Sequence, residues 1–84
     1  MGFYTGTIQH GSNNQDTKRW QEFLRSQGYD LEADGIFGDI TKKYTTDYQS
    51  KNGLAVDGIV GEKTWGKAGF SNASTPITAP QTTL

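Results

Sequence analysis

The sequence has no cysteine, two prolines and a single histidine among its 84 residues. Without cysteine the fold cannot depend on disulfides, and thiolate metal sites are excluded. His10 alone cannot build a zinc site, because zinc takes about four nitrogen, sulfur or oxygen ligands at suitable spacing. We therefore interpret His10 as an ordinary polar residue, and we expect no metal and no cofactor.

The sequence also lacks an excess of charge of either sign and any long apolar run. Eight lysines and arginines are scattered among nine acidic residues, with a formal net charge of −1. A nucleic-acid partner normally requires a positive face that displaces counterions, so none is expected. A membrane span needs about 20 apolar residues, whereas the longest apolar runs here have only a few, so no membrane partner is expected. Residues 1–11 have neither the basic nor the apolar region of a secretory signal.

The composition divides the chain into three parts, of which one carries the periodic signal. Residues 1–10 form a polar N-terminal arm with two glycines. Residues 11–70 contain the helical periodicity and the repeat described next, and their number allows one domain. Residues 71–84 are rich in Ser, Thr and Ala, hold both prolines and carry no charge. Such a stretch is typical of a linker or disordered tail, and we favour a linker.

The central part contains an internal repeat. The segment 34–41, DGIFGDIT, recurs 23 residues later as DGIVGEKT. Asp-Gly predicts a tight turn, since Asp can bond backbone amides ahead of it and Gly can take positive φ. The hydrophobes between the glycines are expected in the core, and Thr41 and Thr64 are expected to bond free amides at a helix start. The structural turn residues are Asp34, Gly35, Gly38, Asp57, Gly58 and Gly61.

Three helices are predicted around these turns. The first is capped by Asn14 and ends near Gln27, because Gly28 is suited to the position after a helix. The second runs from about Asp39 to Lys51, with Ile40, Tyr44 and Tyr48 on one face. The third is short, starts at Glu62 and contains Trp65. The predicted fold class is therefore all-α: a small three-helix bundle with two Asp-Gly turn–helix units and turn-rich loops.

These motifs resemble the small bacterial peptidoglycan-binding domain, a module found beside cell-wall hydrolases. The resemblance spans about residues 11–69, nearly all of the patterned chain. Two Asp-Gly repeats with the intervening Gln and Gly-Leu in register make it specific. The residues that carry it are Gly11-Ser12, Gln21, Leu24, Gly28-Tyr29, Asp34-Gly35, Phe37-Gly38, Thr41, Gln49, Gly53-Leu54, Asp57-Gly58, Val60-Gly61 and Thr64-Trp65.

The chain departs from the family pattern chiefly in its core. Trp20 stands where Leu is usual, Tyr44-Thr45 where Ala-Val is usual, and Tyr48 where Phe is usual. The resemblance implies binding of peptidoglycan, through its glycan strand or its stem peptide, without bond cleavage. It further implies a monomer that acts at the cell wall and holds an attached hydrolase, such as that of a phage endolysin, at its substrate.

Seven residues are candidates for peptidoglycan contact: Gln21, Arg25, Tyr29, Tyr48, Gln49, Lys51 and Asn52. A sugar offers an apolar face to an aromatic ring, and a stem peptide offers carboxylates to cations. Asn52 is a loop amide next to Gly53, and each of the other six has a structural alternative. The two glutamines can bond loop backbone internally, Tyr29 and Tyr48 can be core rings, and the cations can simply be solvated.

Three other functions are compatible with parts of the sequence. Asp30-x-Glu-x-Asp-Gly is close to an EF-hand loop, so a calcium-binding EF-hand-like or dockerin-like module is the alternative, although Thr41 occupies the position of the bidentate Glu. Asp34 and Asp57 could act as a glycosidase pair, but their equivalent turns do not provide two different environments. A protein–protein adaptor is the third alternative.

Overall fold

Three α-helices and two very short strands make up the described part of the chain. A computed structural model describes residues 3–72. The elements are β1 (Phe3–Tyr4), α1 (Gln15–Ser26), α2 (Asp39–Lys51), α3 (Glu62–Lys67) and β2 (Ser71–Asn72). The all-α prediction is confirmed. Of the predicted linker, residues 71–84, the first two form β2 and pair with β1 in parallel, and residues 73–84 lie outside the described residues. Of the helices in residues 3–72, none combines the length and apolar character of a membrane span.

The helices begin in two different ways. Asn14 caps α1 as predicted, because its Oδ1 accepts hydrogen bonds from the backbone N and the Oγ1 of Thr17, both at 2.8 Å. Gly38 and Gly61 precede α2 and α3, and neither start has a side-chain cap. The prediction that threonines bond to the free amides at these two starts is therefore wrong.

All three helices end with the same motif. Gly28, Gly53 and Gly69 have positive φ values of 99°, 70° and 93°. After α1, the N–H of Gly28 donates to the carbonyl of Arg25 at 3.0 Å, and that of Tyr29 to Leu24 at 3.1 Å. This is the Schellman pattern, which bonds the last free carbonyls of a helix. The residue after each glycine is a large hydrophobe that packs on the core: Tyr29, Leu54 and Phe70.

Aromatic rings fill the centre of the bundle. Trp20 and Trp65 are fully buried, and their ring centroids lie 5.4 Å apart in an edge-to-face arrangement. Both indole N–H groups are bonded: Trp20 Nε1 donates to Thr45 Oγ1 at 2.9 Å, and Trp65 Nε1 to the Gly6 carbonyl at 3.1 Å. Large rings compensate for the low hydrophobic content of 32%, because each buries roughly 150–250 Å².

The N-terminal segment belongs to this core. Tyr4 stacks on Trp65 with a centroid distance of 4.8 Å, and Ile8 is completely buried against Val60. The buried carboxylate of Asp16 accepts hydrogen bonds from Thr5 N at 2.8 Å and Thr5 Oγ1 at 2.7 Å. The boundary expected at residue 11 therefore does not separate packed from unpacked residues. Tyr4 and Ile8 were not predicted as core residues, because most of their neighbours in the sequence are polar residues or glycines.

Half of the hydrophobes predicted in the core beside the turns point outward. Phe37 and Val60 are buried, but Ile36 and Ile59 are 53% and 36% exposed. Each pair lies in a non-helical segment that forms an isolated β-bridge, where successive side chains point to opposite sides. Ile40, predicted to share a face of α2 with Tyr44 and Tyr48, is 61% exposed, whereas Tyr48 is buried.

A buried glutamine holds the first Asp-Gly turn. The Oε1 of Gln21 accepts from the N–H of Gly35 at 2.8 Å, and its Nε2 donates to the carbonyl of Ile36 and to Thr41 Oγ1, both at 2.9 Å. The Asp34 carboxylate accepts from the N–H of Ile36 at 3.0 Å. That backbone bond is the main reason why the pKa of Asp34 lies below its usual value.

Gln49 repeats this arrangement at the second turn. Its Oε1 accepts from the N–H of Gly58 at 3.0 Å, and its Nε2 donates to the carbonyl of Ile59 at 2.9 Å and to Thr64 Oγ1 at 3.2 Å. Asp57 likewise accepts from the N–H of Ile59 at 2.9 Å. The glutamines of α1 and α2 therefore each fix the turn that leads into the next helix.

Replacing Gln49 with Leu is expected to destabilise the fold by about 3 kcal/mol, because buried backbone groups of the second turn lose their partners. Gln15→Leu, at an exposed position in α1, is the control and should leave stability nearly unchanged. Urea unfolding of the two variants measures the difference. Equal stability of the Gln49 variant and the unmodified chain would contradict this role.

Replacing Gly58 or Gly66 with alanine should change the stability of the fold in opposite directions. Gly58 has φ of 73°, and a Cβ there would approach Lys42 carbons at 3.2 Å, so Gly58→Ala should cost about 1–2 kcal/mol. Gly66 lies within α3 with open space around its Cβ position. Gly66→Ala should therefore stabilise the fold by about 0.5–1 kcal/mol. Thermal unfolding compares them, and a change of the same sign in both would refute the assignment.

Candidate functional site

The structure separates the seven candidate residues into interior and surface positions. Gln21 and Gln49 are 1% and 0% exposed, and their amides are engaged with the turns and with threonine hydroxyls. A ligand would have to displace those bonds to reach them. We therefore place both glutamines with the scaffold. Arg25 lies exposed in the last turn of α1 and lines neither of the two surface recesses described next.

The other four candidates line one recess between the ends of α1 and α2. It has a volume of about 280 Å³ and includes Tyr29, Tyr48, Lys51 and Asn52. Tyr48 is mainly a core residue, since it is 6% exposed and packs edge-on against Trp20 at 5.4 Å. Its burial raises the pKa of its hydroxyl. The side-chain amide of Asn52 donates to the Tyr48 carbonyl at 2.8 Å and closes α2.

A larger groove adjoins this recess and shares Tyr29 with it. We call it the tyrosine groove; its volume is about 560 Å³, and its lining residues are Tyr29, Lys43, Tyr44, Thr46, Asp47, Ser50 and Val56. The rings of Tyr29 and Tyr44 lie 5.1 Å apart between centroids, with their planes 37° apart. Both are half-buried against the core, and Val56 beside them is 57% exposed.

A polar triad fixes one side of the tyrosine groove. The hydroxyl of Tyr29 donates to Asp47 Oδ2 at 2.7 Å, and Lys51 Nζ lies 3.0 Å from the same oxygen. Burial, followed by this hydrogen bond, raises the pKa of Tyr29 to about 12. The bond from Tyr29 and then that from Lys51 lower the pKa of the Asp47 carboxyl. Asp47 is therefore ionised at neutral pH, and its charge is matched within the protein.

Of the residues that line the tyrosine groove, sequence reasoning identified Tyr29 alone; Lys51, which it also identified, lines the adjoining recess and contacts Asp47. Tyr44, Asp47 and Lys51 follow one another at intervals of three and four residues on α2, a spacing that places them on one helix face. That signal was available in the sequence. The position of Val56 was not, because it depends on the path of the loop between α2 and the second turn.

Two further recesses lie beside the Asp-Gly turns and are related by the repeat. Their volumes are about 420 and 470 Å³. Ile36 and Ile40 line the first, and the equivalent positions in the second are Ile59 and Lys63. Their lining residues include no aromatic side chain. We attribute these recesses to the repeated backbone and retain the tyrosine groove as the candidate site.

The calcium alternative has no support in the described residues. Within residues 3–72, no three His, Cys, Asp or Glu side chains converge in an arrangement that could hold a metal ion. Asp34, the third acid of the EF-hand-like segment, instead accepts hydrogen bonds from its own turn and from Gln21.

Known proteins similar to this chain include a curated enzyme and two solved structures. The zinc D-Ala-D-Ala carboxypeptidase of Streptomyces albus G is 40% identical over 73 residues, which cover 79% of this chain and 28% of the enzyme. The SleB N-terminal domain is 36% identical with a TM-score of 0.75, over 79% of this chain and 92% of that domain. The Burkholderia AP3 phage endolysin is 33% identical with a TM-score of 0.72, over 75% of this chain and 24% of the endolysin.

The share of each relative that this chain covers differs between the whole proteins and the isolated domain. This chain spans about a quarter of the carboxypeptidase and of the endolysin, but nearly all of the SleB N-terminal domain. The family model described as "Putative peptidoglycan binding domain" matches residues 13–67, which contain all three helices and both Asp-Gly turns. The chain therefore belongs to this peptidoglycan-binding domain family.

Proposed function

We propose that the chain is a non-catalytic module that binds bacterial cell-wall peptidoglycan through the tyrosine groove and holds an attached hydrolase at that polymer. The observation that carries the proposal is the groove itself, two half-buried tyrosine rings beside an internally paired charge cluster, on a domain of this family. Concave surfaces with an aromatic lining and a few fixed polar groups are typical ligand sites.

The lengths of two relatives support the proposal that an enzyme is attached to this module. The carboxypeptidase and the phage endolysin are each about four times longer than the part that this chain matches. A binding module on a linker raises the local concentration of its enzyme at an insoluble substrate. Because Ser71 and Asn72 form β2, we propose that residues 73–84 act as that linker, and that the module works as a monomer at the cell wall.

The recess beside the groove extends the proposed contact surface. Tyr29 belongs to both, so a polymer that lies across it would also reach Lys51 and Asn52. Tyr48 contributes to the recess chiefly by supporting it from the core. Arg25 remains a proposed outer contact, where an exposed cation could meet a stem-peptide carboxylate at small energetic gain.

The module should sediment with purified peptidoglycan sacculi, and Tyr29→Ala should weaken this binding by about tenfold, equal to 1.4 kcal/mol of lost contact. Ile40→Ser, which changes an exposed aliphatic residue outside the groove, is the control. Arg25→Ala should have a smaller effect. Each variant is first checked for an intact fold by circular dichroism. An unmodified module that stays in the supernatant would refute the proposal.

The groove should keep its geometry until strongly alkaline pH. The pKa of Tyr29 is about 12 in the folded chain against 10.0 for the free side chain. A raised pKa means that its stabilising effect is complete below pH 10 and is lost as the pH rises towards 12. Ultraviolet titration of tyrosinate measures this directly.

Two variants assign that titration among the four tyrosines of the chain. Tyr29→Phe should remove a late-titrating group, and Asp47→Asn should return it towards the ordinary tyrosine pKa, because the carboxylate charge is lost. If the late-titrating group that Tyr29→Phe removes keeps its pKa in Asp47→Asn, the hydroxyl and Asp47 are not coupled.

A further inference from the structure

We infer that the tyrosine groove binds the glycan strand of peptidoglycan, by stacking of an amino-sugar ring on Tyr44 and Val56, and does not bind the stem peptide. This inference rests on the proposed function and specifies the ligand of the same site. Three properties of the groove support it: its apolar surface, its internally matched charge, and the hydroxyl groups along its edge.

The apolar surface has the form that a sugar ring requires. The two rings of the groove lie 5.1 Å apart at 37°, and exposed Val56 lies beside them. A pyranose presents C–H groups on its face, which pack against such a surface as other apolar groups do. Tyrosine side chains provide this contact at low entropic cost, because few of their bonds can rotate.

Charge matching also favours a neutral ligand segment. The carboxylate of Asp47 is already bonded to the Tyr29 hydroxyl and to Lys51 Nζ. A stem peptide carries carboxylates, which would have to draw Lys51 away from this partner. Lys43 is exposed, with its Nζ 5.9 Å from the centroid of the Tyr44 ring, and an exposed cation adds little binding energy. An N-acetylglucosamine ring has no ionised group and requires no counter-charge.

Hydroxyl groups at the edge complete the match. Thr46 donates its hydroxyl proton to the Lys43 carbonyl at 2.9 Å, so its oxygen remains available as an acceptor. Ser50 is exposed on the next turn of α2 and lines the same groove. Sugar hydroxyls and acetamido N–H groups are the donors that such oxygens accept from.

Three binding measurements distinguish the glycan strand from the stem peptide as the ligand. Binding of the unmodified module is measured on intact sacculi, on glycan strands freed of stem peptide by an amidase, and with soluble stem peptide as competitor. We expect the freed strands to bind within about threefold of the sacculi and the stem peptide not to compete. Binding to sacculi that disappears from the freed strands, or that stem peptide displaces, would overturn the inference while leaving the proposed function intact. No binding to sacculi would instead refute the proposed function.

Substitutions in the groove test the stacking contact separately. Tyr44→Ala should weaken binding to freed glycan strands by about tenfold, whereas Tyr44→Phe, which keeps the ring, should retain it. Val56→Ser should also weaken binding, with Ile40→Ser as the matched control at an exposed aliphatic position outside the groove. Lys43→Gln, which removes the charge but keeps most of the side chain, should weaken binding less than Tyr44→Ala does. A larger loss with Lys43→Gln than with Tyr44→Ala, or full binding by Tyr44→Ala with an intact fold, would contradict stacking of a neutral sugar.

Discussion

The fold depends on a buried glutamine amide that replaces water for the backbone of an Asp-Gly turn. A turn of this kind leaves an N–H and a carbonyl pointing into the protein, and unpaired groups there are costly. Gln21 and Gln49 satisfy both with one side chain each, and each also reaches the threonine in the first turn of the next helix. The same amide thus closes the loop and fixes where the following helix starts, so a short chain without disulfides can hold three helices in place.

With the starts of α2 and α3 fixed in this way, the outer face of α2 becomes available for a ligand. Its inner face supplies Tyr48 to the aromatic core, while Tyr44 and Asp47 lie further around the helix, next to the loop that follows α1. The Schellman ending of α1 delivers Tyr29 to that place, where its hydroxyl meets Asp47. The groove is therefore a product of helix termination and helix position, and its rings are supported from the core behind them.

The internal repeat helps to separate structural from functional residues. Turn residues, glutamines and threonines occur twice with the same hydrogen bonds, as expected for a structural task performed twice. The residue after each helix-ending glycine differs: it is Tyr29, Leu54 or Phe70. Of these three, Tyr29 alone has a hydroxyl, and its partner lies on another helix. Recognition in this domain is best sought where the repeat is broken.

The sequence alone was sufficient to predict the helices, because capping residues, helix-ending glycines, Asp-Gly pairs and side-chain spacing are local signals of where helices and turns lie. The Asn14 cap, the bounds of α2 and the short α3 all follow from residues within a few positions of each other. Tertiary structure decided which side chains are used internally. It buried Gln21 and Gln49, drew Tyr4 and Ile8 into the core, and left Ile36 and Ile40 outside. It also joined Tyr29 to Asp47, because their contact depends on how two helices pack, and no local pattern encodes that distance.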